Sequence, residues 1–376
     1  MNDSLEDEEK INFSSKDLDG QIGSLVYGWA ITGENDEAYQ TDQLNDFDLD
    51  SNGDIYAVGT FSNTEEFGVL TATSSGGNDG YLVKISEEGA WMDLRTFSSS
   101  NDISLEKISV NNVGNIAIAG HFSDASMNCD DLSIDNNDAN GGSTDIFVAV
   151  LDSNFDCVWF NSVGGEEDDY VKELILNDDG TILMGGMIQD IVYFGAQGTD
   201  GTAEDGFVCK FTNQGDLNWG HRINGINDQS VNAIFENSDG SIFVGGDSDN
   251  KAEIDGGGEN KSSNQAGFLL KLDNMANIDS LVPIPGVVFE IEKNPTNSDI
   301  FIAGTFSGAK SFGDISATSM GYRDVFVSKF IFPDDFSNFN QASSSDVVDL
   351  YSLSFDPNGD LLVSGLSLSY AHDIPF

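Results

Sequence analysis

The sequence predicts an all-β protein, a β-propeller built from four-stranded blades, and three repeated features support this prediction. A hairpin recurs along the chain, and its copies end at Gly59, Gly120, Gly186, Gly246, Gly304 and Gly365. Each unit then carries a third apolar segment with an aromatic residue at a fixed place, such as Phe147. A fourth segment often carries a tryptophan, at Trp91, Trp159 and Trp219. The period of about 60 residues indicates a tandem array of four-stranded units.

The hairpin is clearest at residues 48–59. There Asn52-Gly53 stands between two segments rich in β-forming residues, and Ile55 and Ala57 alternate with their neighbours before Gly59. Asn-Gly in such a place is a strong hairpin signal because both residues accept a positive φ. The sequence therefore predicts a tight turn at Asn52-Gly53, and equivalent turns in the other copies.

Charged residues recur at both ends of the third strand. In four units an aspartate begins it, at Asp79, Asp145, Asp205 and Asp324. A lysine stands near its end at Lys84, Lys210, Lys271 and Lys329. A short acidic side chain can cap a turn, and the stem of a lysine can lie along a blade. We interpret both positions as structural.

The repeats divide the chain into an acidic tail and one propeller domain. Residues 1–10 are predicted to be disordered, and residues 11–376 to form the propeller. Five blades are predicted at about 41–100, 101–166, 167–226, 227–285 and 286–344. Residues 345–376 supply two strands of a sixth blade, and residues 11–40 complete it, so that the last blade is shared between the N- and C-terminal strands. The alternative is a fragment of a longer array.

The sequence of the repeat also resembles a known one. Thr60-Phe61-Ser62 is followed by Phe67-Gly68, and Thr305-Phe306-Ser307 by Phe312-Gly313. With the hairpin, the third strand and the tryptophan, these residues resemble the bacterial β-propeller repeat (SBBP-type repeat) over about residues 40–370. The fourth unit departs from the pattern at Ala266. The resemblance implies a propeller and a secreted or cell-surface protein, because the family is known mainly from such proteins.

The charge of the chain limits its partners. There are 65 acidic and 15 basic residues, a net charge of −50. Phosphate backbones and anionic membrane surfaces would be repelled, so nucleic acid and membranes are not expected partners. No apolar run reaches the roughly 18–20 residues that a membrane helix needs. The acidic residues are also explained by solubility in a salty medium, where charge repulsion is screened.

The cysteines and the N-terminus bear on the compartment. Three cysteines are too few for a disulfide framework, and Cys157 and Cys209 are expected to be core residues, with Cys129 a free thiol in a loop. Residues 1–10 do not form a signal peptide. The protein is either cytoplasmic or a mature or trimmed chain, and the resemblance favours an extracellular or cell-surface location.

Calcium is the one cofactor for which the sequence offers candidate ligands. Carboxylates recur where five of the six first strands begin, at Asp42, Asp102, Asp168, Asp228 and Asp346, while the fifth blade has Gly286. Connections between blades meet around the channel of a propeller, so these residues are candidate metal ligands for Ca²⁺. The alternative is that each aspartate accepts hydrogen bonds from backbone amides. Asp48, Asp50 and Asn52 resemble the start of an EF-hand loop, but Gly59 stands where the loop needs a glutamate.

No catalytic residues are indicated. The histidines His121, His221 and His372 have no metal-binding spacing, and a nucleophile elbow is absent from the sequence. The sequence therefore favours a non-catalytic scaffold for interaction or adhesion that binds a protein or glycan through loops on one face. The long segments 127–142, 189–203 and 247–265 are the predicted contact loops. A propeller hydrolase or lyase acting on polysaccharide, and a structural spacer of a larger surface protein, are the alternatives.

Overall fold

Four-stranded antiparallel sheets recur through the computed structural model. It describes residues 42–138, 142–189, 204–225, 227–248, 252–254 and 266–368, and the backbone of 15–16, 22–23 and 258–259. The predicted tail and most of residues 11–40 lie outside the described residues. Within the described part no helix has the length and apolar character needed to cross a membrane.

The strands follow the repeat in chain order. The first two, β1 (Ser15–Lys16) and β2 (Ile22–Gly23), pair with each other. Blade 1 contains β3 (Gln43–Leu49), β4 (Ile55–Phe61), β5 (Thr64–Phe67), β6 (Leu70–Thr73), β7 (Asp79–Ile85) and β8 (Trp91–Phe97). Blade 2 contains β9 (Ile103–Val110), β10 (Ile116–Phe122), β11 (Ser126–Cys129), β12 (Leu132–Asp135), β13 (Asp145–Leu151) and β14 (Cys157–Val163). Blade 3 contains β15 (Tyr170–Leu176), β16 (Ile182–Gln189), β17 (Glu204–Phe211) and β18 (Leu217–Asn224).

The second half of the chain repeats the same order. Blade 4 contains β19 (Gln229–Glu236), β20 (Ile242–Ser248), β21 (Glu253–Ile254), β22 (Gly258–Glu259), β23 (Gly267–Leu272) and β24 (Ile278–Ile284). Blade 5 contains β25 (Val287–Lys293), β26 (Ile300–Phe306), β27 (Ala309–Phe312), β28 (Ile315–Thr318), β29 (Asp324–Ile331) and β30 (Asp335–Ala342). The described chain ends with the pair β31 (Val347–Phe355) and β32 (Leu361–Leu368).

These sheets confirm the predicted all-β propeller. In each of the five blades the strands pair in the order first, second, third and outermost, as in β3-β4-β7-β8. The first strand of each blade lies beside the first strand of the next, from β3 to β31. The first strands therefore surround a common axis, and the outer strands face away from it.

The loops between the second and third strands hold short hairpins. The segment predicted as a loop at 127–142 forms β11 and β12, while residues 139–141 lie outside the described part. The hairpin of blade 4 pairs with the outer strand of blade 3, where Ile254 stands opposite Ile223. Residues 190–203 and most of 249–265 lie outside the described part, so the predicted contact loops there are not described.

The predicted hairpin turns are present, with one difference. The amide of Gly53 donates to the carbonyl of Asp50 at 3.0 Å, and Gly53 has a φ of 84°. Asn52 is not in the left-handed region, so the turn is not a two-residue Asn-Gly turn. Asp50 accepts the amides of Asn52 and Asp54, and Lys84 lies 2.9 Å from Asp54. These contacts are those of a turn, in agreement with the hairpin interpretation of this segment.

The cores lie between successive blades. Blade 1 contributes Val58 and Leu82 to the first core, and blade 2 contributes Leu105 and Phe147. The aromatic residues predicted in the third strands are all buried, at Tyr81, Phe147, Phe207, Phe268 and Phe326. Burying one such side chain stabilises the fold by about 1.5–3 kcal/mol, so the repeat position accounts for much of the blade contact.

The cysteine prediction was wrong for Cys129 and for Cys157, which is half-buried and not a core residue. Cys129 and Cys157 form a disulfide with a Cα–Cα distance of 6.0 Å. Cys129 is buried at the end of β11, and is not a free thiol in a loop. The hairpin within blade 2 brings it back to the start of the outer strand, a return that spacing alone does not reveal. Cys209 is a buried free cysteine, as expected.

Candidate functional site: the central channel

A bulge occurs at the same place in every first strand. In β3 the pairing with β4 moves from Leu44 directly to Asp46, so Asn45 has no partner opposite it. The same register shift occurs in the five other first strands, at Glu106, Lys172, Asn232, Phe289 and Tyr351. A bulge re-aims the side chains on either side of it. Each first strand therefore has one bulged residue at the equivalent position of the repeat.

The residue after each bulge lines a central channel. The cavity has a volume of about 1020 Å³ and is lined by residues of all six first strands. One ring consists of Asp46, Lys107, Glu173, Ala233, Glu290 and Ser352. Two residues further on, a second ring consists of Asp48, Ser109, Ile175, Phe235, Glu292 and Ser354. Five carboxyl groups and one ammonium group thus line the two rings.

Two channel aspartates also connect neighbouring first strands. The carboxylate of Asp46 accepts the amide of Ile108 at 3.0 Å, and that of Asp48 accepts the amide of Val110 at 2.7 Å. A buried amide left without a partner would cost about 1–3 kcal/mol, so both aspartates have a structural role as well. They are held in fixed positions at the channel wall.

Burial raises the pKa of the channel carboxyls. Burial raises the pKa of Glu173 to about 7, although Lys107 opposes the change. Burial, with repulsion from Glu173, raises the pKa of Glu290 to about 8. The pKa values of Asp46 and Asp48 are also raised by burial. Each of these carboxyls therefore resists ionisation until positive charge is close to it.

The pKa of Lys107 indicates that the electrostatic potential in the channel is negative. Burial alone would lower its pKa, but the carboxylates of Glu173, Asp46 and Glu290 more than offset burial, and the pKa is raised. An ammonium group is therefore favoured in the channel even after it loses water. The channel is suited to positively charged groups.

Three of the bulged residues connect their blade to the next one beside the channel. The side-chain amide of Asn45 donates to the carbonyl of Leu105 at 2.8 Å, and that of Asn232 to the carbonyl of Val288 at 3.1 Å. Lys172 donates to Ser230 at 2.9 Å. A polar belt thus crosses three of the blade junctions.

His121 extends this belt without forming a catalytic pair. Its Nδ1 lies 3.7 Å from the carboxylate of Glu106, and its ring lies edge-on to Tyr170 at 5.0 Å. Burial lowers the pKa of His121, with Glu106 and Asp168 opposing the change. The imidazole is therefore neutral near pH 7 and acts as a packed polar ring.

The predicted metal ligands do not line the channel. Asp102, Asp168 and Asp228 accept the amides of Asn78, Thr144 and Glu204, at 2.7, 2.8 and 3.3 Å. In this way each one connects its blade to the third strand of the preceding blade.

The two other candidates lie at the ends of the series. Asp42 accepts the amide of Ser62 at 3.0 Å. Asp346 differs, because its backbone amide donates to Ser344 at 3.2 Å. Backbone bonding was the expected alternative to metal binding, and calcium at these five residues stays a prediction. In the described part of the chain, one group of three metal-ligand side chains is close enough to share an ion, and two of its members are the disulfide-bonded cysteines.

The channel carboxyls were not among the residues predicted from the sequence. Asp46, Lys107, Glu173, Ala233 and Ser352 each stand seven residues before the glycine of the following hairpin turn. An internal alignment of the repeats therefore brings them into one column. The signal was present, but the bulge that turns this column toward the axis is a property of the folded sheet.

Comparisons with known proteins support no family assignment. No protein-family model and no curated protein matches the chain. Among solved structures it is similar to the WD40 domain of Neurospora crassa Pan2, with 10% identity, a TM-score of 0.42 and 86% of each chain covered. It is also similar to BamB from Moraxella catarrhalis, with 12% identity, a TM-score of 0.39, and 85% and 79% of the two chains covered. Similarities this distant do not identify a partner or an activity for this chain.

Proposed function

We propose that this protein is a non-catalytic, extracytoplasmic β-propeller, secreted or held at a cell surface, that serves as a scaffold for interaction or adhesion. Its partner is a protein or glycan that brings positive charge to the mouth of the central channel. The observation that carries the proposal is the channel itself, where two rings of side chains include five carboxyls. On a chain of net charge −50, such a cavity attracts cationic groups and repels anionic ones.

The disulfide supports the proposed location. Cys129 and Cys157 form a disulfide. Disulfides persist in oxidising compartments and are rare in reducing ones. The resemblance of the repeat to one known from secreted and surface proteins points the same way.

The pKa pattern favours binding over glycoside cleavage. A hydrolase of the usual kind needs two carboxyls whose pKa values are pushed apart, one acid and one base. In the described channel wall the resolved carboxyl shifts, at Asp46, Asp48, Glu173, Glu290 and Glu292, are all upward. Such a set lacks the opposed pair of pKa shifts that a general acid and a base need.

The test compares two variants that each lose three carboxyl groups. The channel variant is Asp46→Asn/Glu173→Gln/Glu290→Gln, and the control is Asp131→Asn/Asp216→Asn/Asp314→Asn, three exposed residues outside the channel lining. Binding of an oligolysine peptide and of a chitosan oligosaccharide is measured by calorimetry at 150 mM salt. Loss of three carboxyl groups at the channel wall should weaken binding about tenfold in the channel variant, while the control binds like the unmodified protein.

Two outcomes overturn the proposal. Equal weakening in both variants means that the net charge alone attracts the probes. Release of new reducing ends from the oligosaccharide, abolished in the channel variant, means that the channel is an active site.

A further inference from the structure

A lysine of blade 3 and an asparagine of blade 4 meet beside the channel. Lys172 is the bulged residue of β15, and Asn232 is the bulged residue of β19. The side-chain nitrogen Nζ of Lys172 lies 3.2 Å from the side-chain carbonyl oxygen Oδ1 of Asn232. The carbonyl carbon Cγ is one bond from Oδ1, so an amine and an amide carbon are held within reach of each other.

A serine and a carboxylate complete the group. The hydroxyl of Ser230 accepts a hydrogen bond from Nζ of Lys172 at 2.9 Å. It donates either to Oδ1 of Asn232, at 2.8 Å, or to the carboxylate of Asp247 on β20. The same carboxylate accepts the side-chain amide nitrogen Nδ2 of Asn232 at 3.1 Å. Asp247 therefore reaches the amide nitrogen directly and the lysine nitrogen through Ser230.

The side-chain amide of Asn232 is buried and fixed in position. Asn232 is 8% exposed and Ser230 is 3% exposed. Nδ2 of Asn232 also donates to the carbonyl of Val288 in blade 5, at 3.1 Å. Groups held in a reactive geometry have already lost most of the entropy that a reaction between them costs. Burial also limits the access of water that would compete with an amine for the amide carbon.

Blade 1 has the same asparagine without these partners. Asn45 occupies the position of Asn232, and its side-chain amide also donates to a backbone carbonyl of the next blade. Thr60 stands where blade 4 has Asp247, and no lysine is among the described hydrogen-bond partners of Asn45. The bond to the next blade explains an asparagine at this position. It does not explain a lysine and a carboxylate beside it.

We propose that Lys172 and Asn232 form an isopeptide bond that crosslinks blades 3 and 4, with Asp247 as the catalytic residue. Ser230 passes a proton from the ammonium group of Lys172 to Asp247, which leaves a neutral amine as the nucleophile. Nζ then bonds to Cγ of Asn232, and the bond from Cγ to Nδ2 breaks. Asp247 relays the two protons that Nζ loses to Nδ2, which leaves as ammonium. The reaction needs no oxidant or reductant and occurs once per chain, which loses the atoms of one ammonia.

The mass of the intact chain tests the proposal without any substitution. The full-length protein is unfolded in denaturant, and its mass is compared with that of the sequence with one disulfide. We expect a mass lower by one ammonia, and a branched peptide in a digest that joins Lys172 to Asn232. The unchanged sequence mass overturns the proposal. An ammonia loss that tandem mass spectrometry assigns to other residues also overturns it.

Two lysine variants distinguish this pair from an ordinary contact. Lys293 donates to Oδ1 of Asn237 at 2.9 Å across the junction of blades 4 and 5. Among the described hydrogen bonds, no carboxylate accepts the side-chain amide of Asn237, so this pair lacks a proton relay. Lys172→Arg should abolish the ammonia loss, and Lys293→Arg should keep it. An ammonia loss that persists in Lys172→Arg overturns the proposal.

A third variant tests the role of the carboxylate. Asp247→Thr gives blade 4 the residue that blade 1 carries at Thr60, so we expect the fold to be retained. Chains purified in urea from inclusion bodies are refolded, and the crosslinked fraction is followed by mass spectrometry. Loss of acid–base catalysis should slow crosslinking at least about a hundredfold. Equal rates in the variant and the unmodified protein, with equal hydrogen-exchange protection of β10 and β16, overturn the catalytic role of Asp247.

Discussion

The junction of blades 1 and 2 and the junction of blades 2 and 3 occupy equivalent places in the repeat but differ in chemistry. Where β9 begins, Ile103 is fully buried and its amide donates to the carbonyl of Asn78 at 2.8 Å. Just before β15, Asp169 is fully buried and its amide donates to the carbonyl of Thr144 at 2.8 Å. The backbone is the same, and a carboxyl replaces an aliphatic side chain.

The fold accepts this carboxyl because backbone amides surround it. Asp169 accepts the amides of Gly165 at 2.7 Å and of Gln189 at 2.8 Å. Burial still raises its pKa to about 8, and Asp145 and Asp168 add repulsion. In the equivalent place of the first junction, the amide of Ser99 goes to Asp79 instead. One buried oxygen of Asp145, Oδ1, consequently has no hydrogen-bond partner. The comparison teaches that the repeat fixes the backbone and leaves the polarity of its junctions open.

The largest expected effect is a loss of folding stability at the second junction as the pH rises. The pKa of Asp169 is raised from 3.8 when unfolded to about 8 when folded, so the folded protein holds an extra proton between those values. The stability that this proton provides is present below pH 4 and is lost as the pH rises to 8, about 4 kcal/mol between pH 5 and pH 8.

This effect is measured against a neutral variant. Asp169→Asn should make the fall of the urea midpoint between pH 5 and pH 8 shallower, leaving the part that Glu173 and Glu290 contribute, and Asp216→Asn, at an exposed position, should leave the fall unchanged. Parallel pH profiles for Asp169→Asn and the unmodified protein would show that Asp169 is ionised in the fold.

The next largest effect concerns the disulfide within blade 2, which lies beside the first junction. Cys129 and Cys157 are separated by 28 residues. A crosslink of this span stabilises by about 3–4 kcal/mol in the chain-entropy model, so Cys129→Ala/Cys157→Ala should lose about that amount in urea unfolding. Cys209→Ala serves as the matched control. A thiol assay of the denatured protein should find one free thiol per chain, and three would contradict the disulfide.

A smaller loss of stability is expected when Arg95, which lies at the first junction, is replaced by alanine. Arg95 of blade 1 reaches the disulfide of blade 2, where it donates to Asp130 at 3.0 Å and to the carbonyl of Phe155. Arg95→Ala should cost about 1–3 kcal/mol, because Arg95 is largely buried and donates to several acceptors. Arg323→Ala removes the more exposed pair with Asp349 and should cost at most about 1 kcal/mol. Equal losses would mean that the Arg95 contacts contribute no more than a surface ion pair.

The smallest expected effect concerns calcium. The second junction brings Asp168 and Asp169 together, while the first has Asp102 alone, so a cation would distinguish the two junctions. Because these aspartates already accept backbone amides, calcium and sodium chloride at matched ionic strength should raise the melting temperature equally. A rise with calcium alone, reversed by chelator and lost in Asp168→Asn, would establish a metal site.

The sequence predicted the parts of the fold that local chemistry determines. Gly53 marks its turn because the turn needs a positive φ, and Phe147 marks the third strand because an aromatic fills the space between blades. The bulge at Asn45 and the closeness of Cys129 to Cys157 depend on how strands pair and where a hairpin folds back. Neither has a local signature, so the channel residues and the disulfide were missed.

The ring of channel residues has a consequence for how such a protein can change. Asp46, Lys107, Glu173, Ala233, Glu290 and Ser352 each come from a different repeat. A single substitution therefore rewrites one position of the ring and leaves the other five, and their backbones, as they were. The channel ring thus has six positions that can vary independently while the backbone stays the same. The charge of the channel can therefore change one repeat at a time.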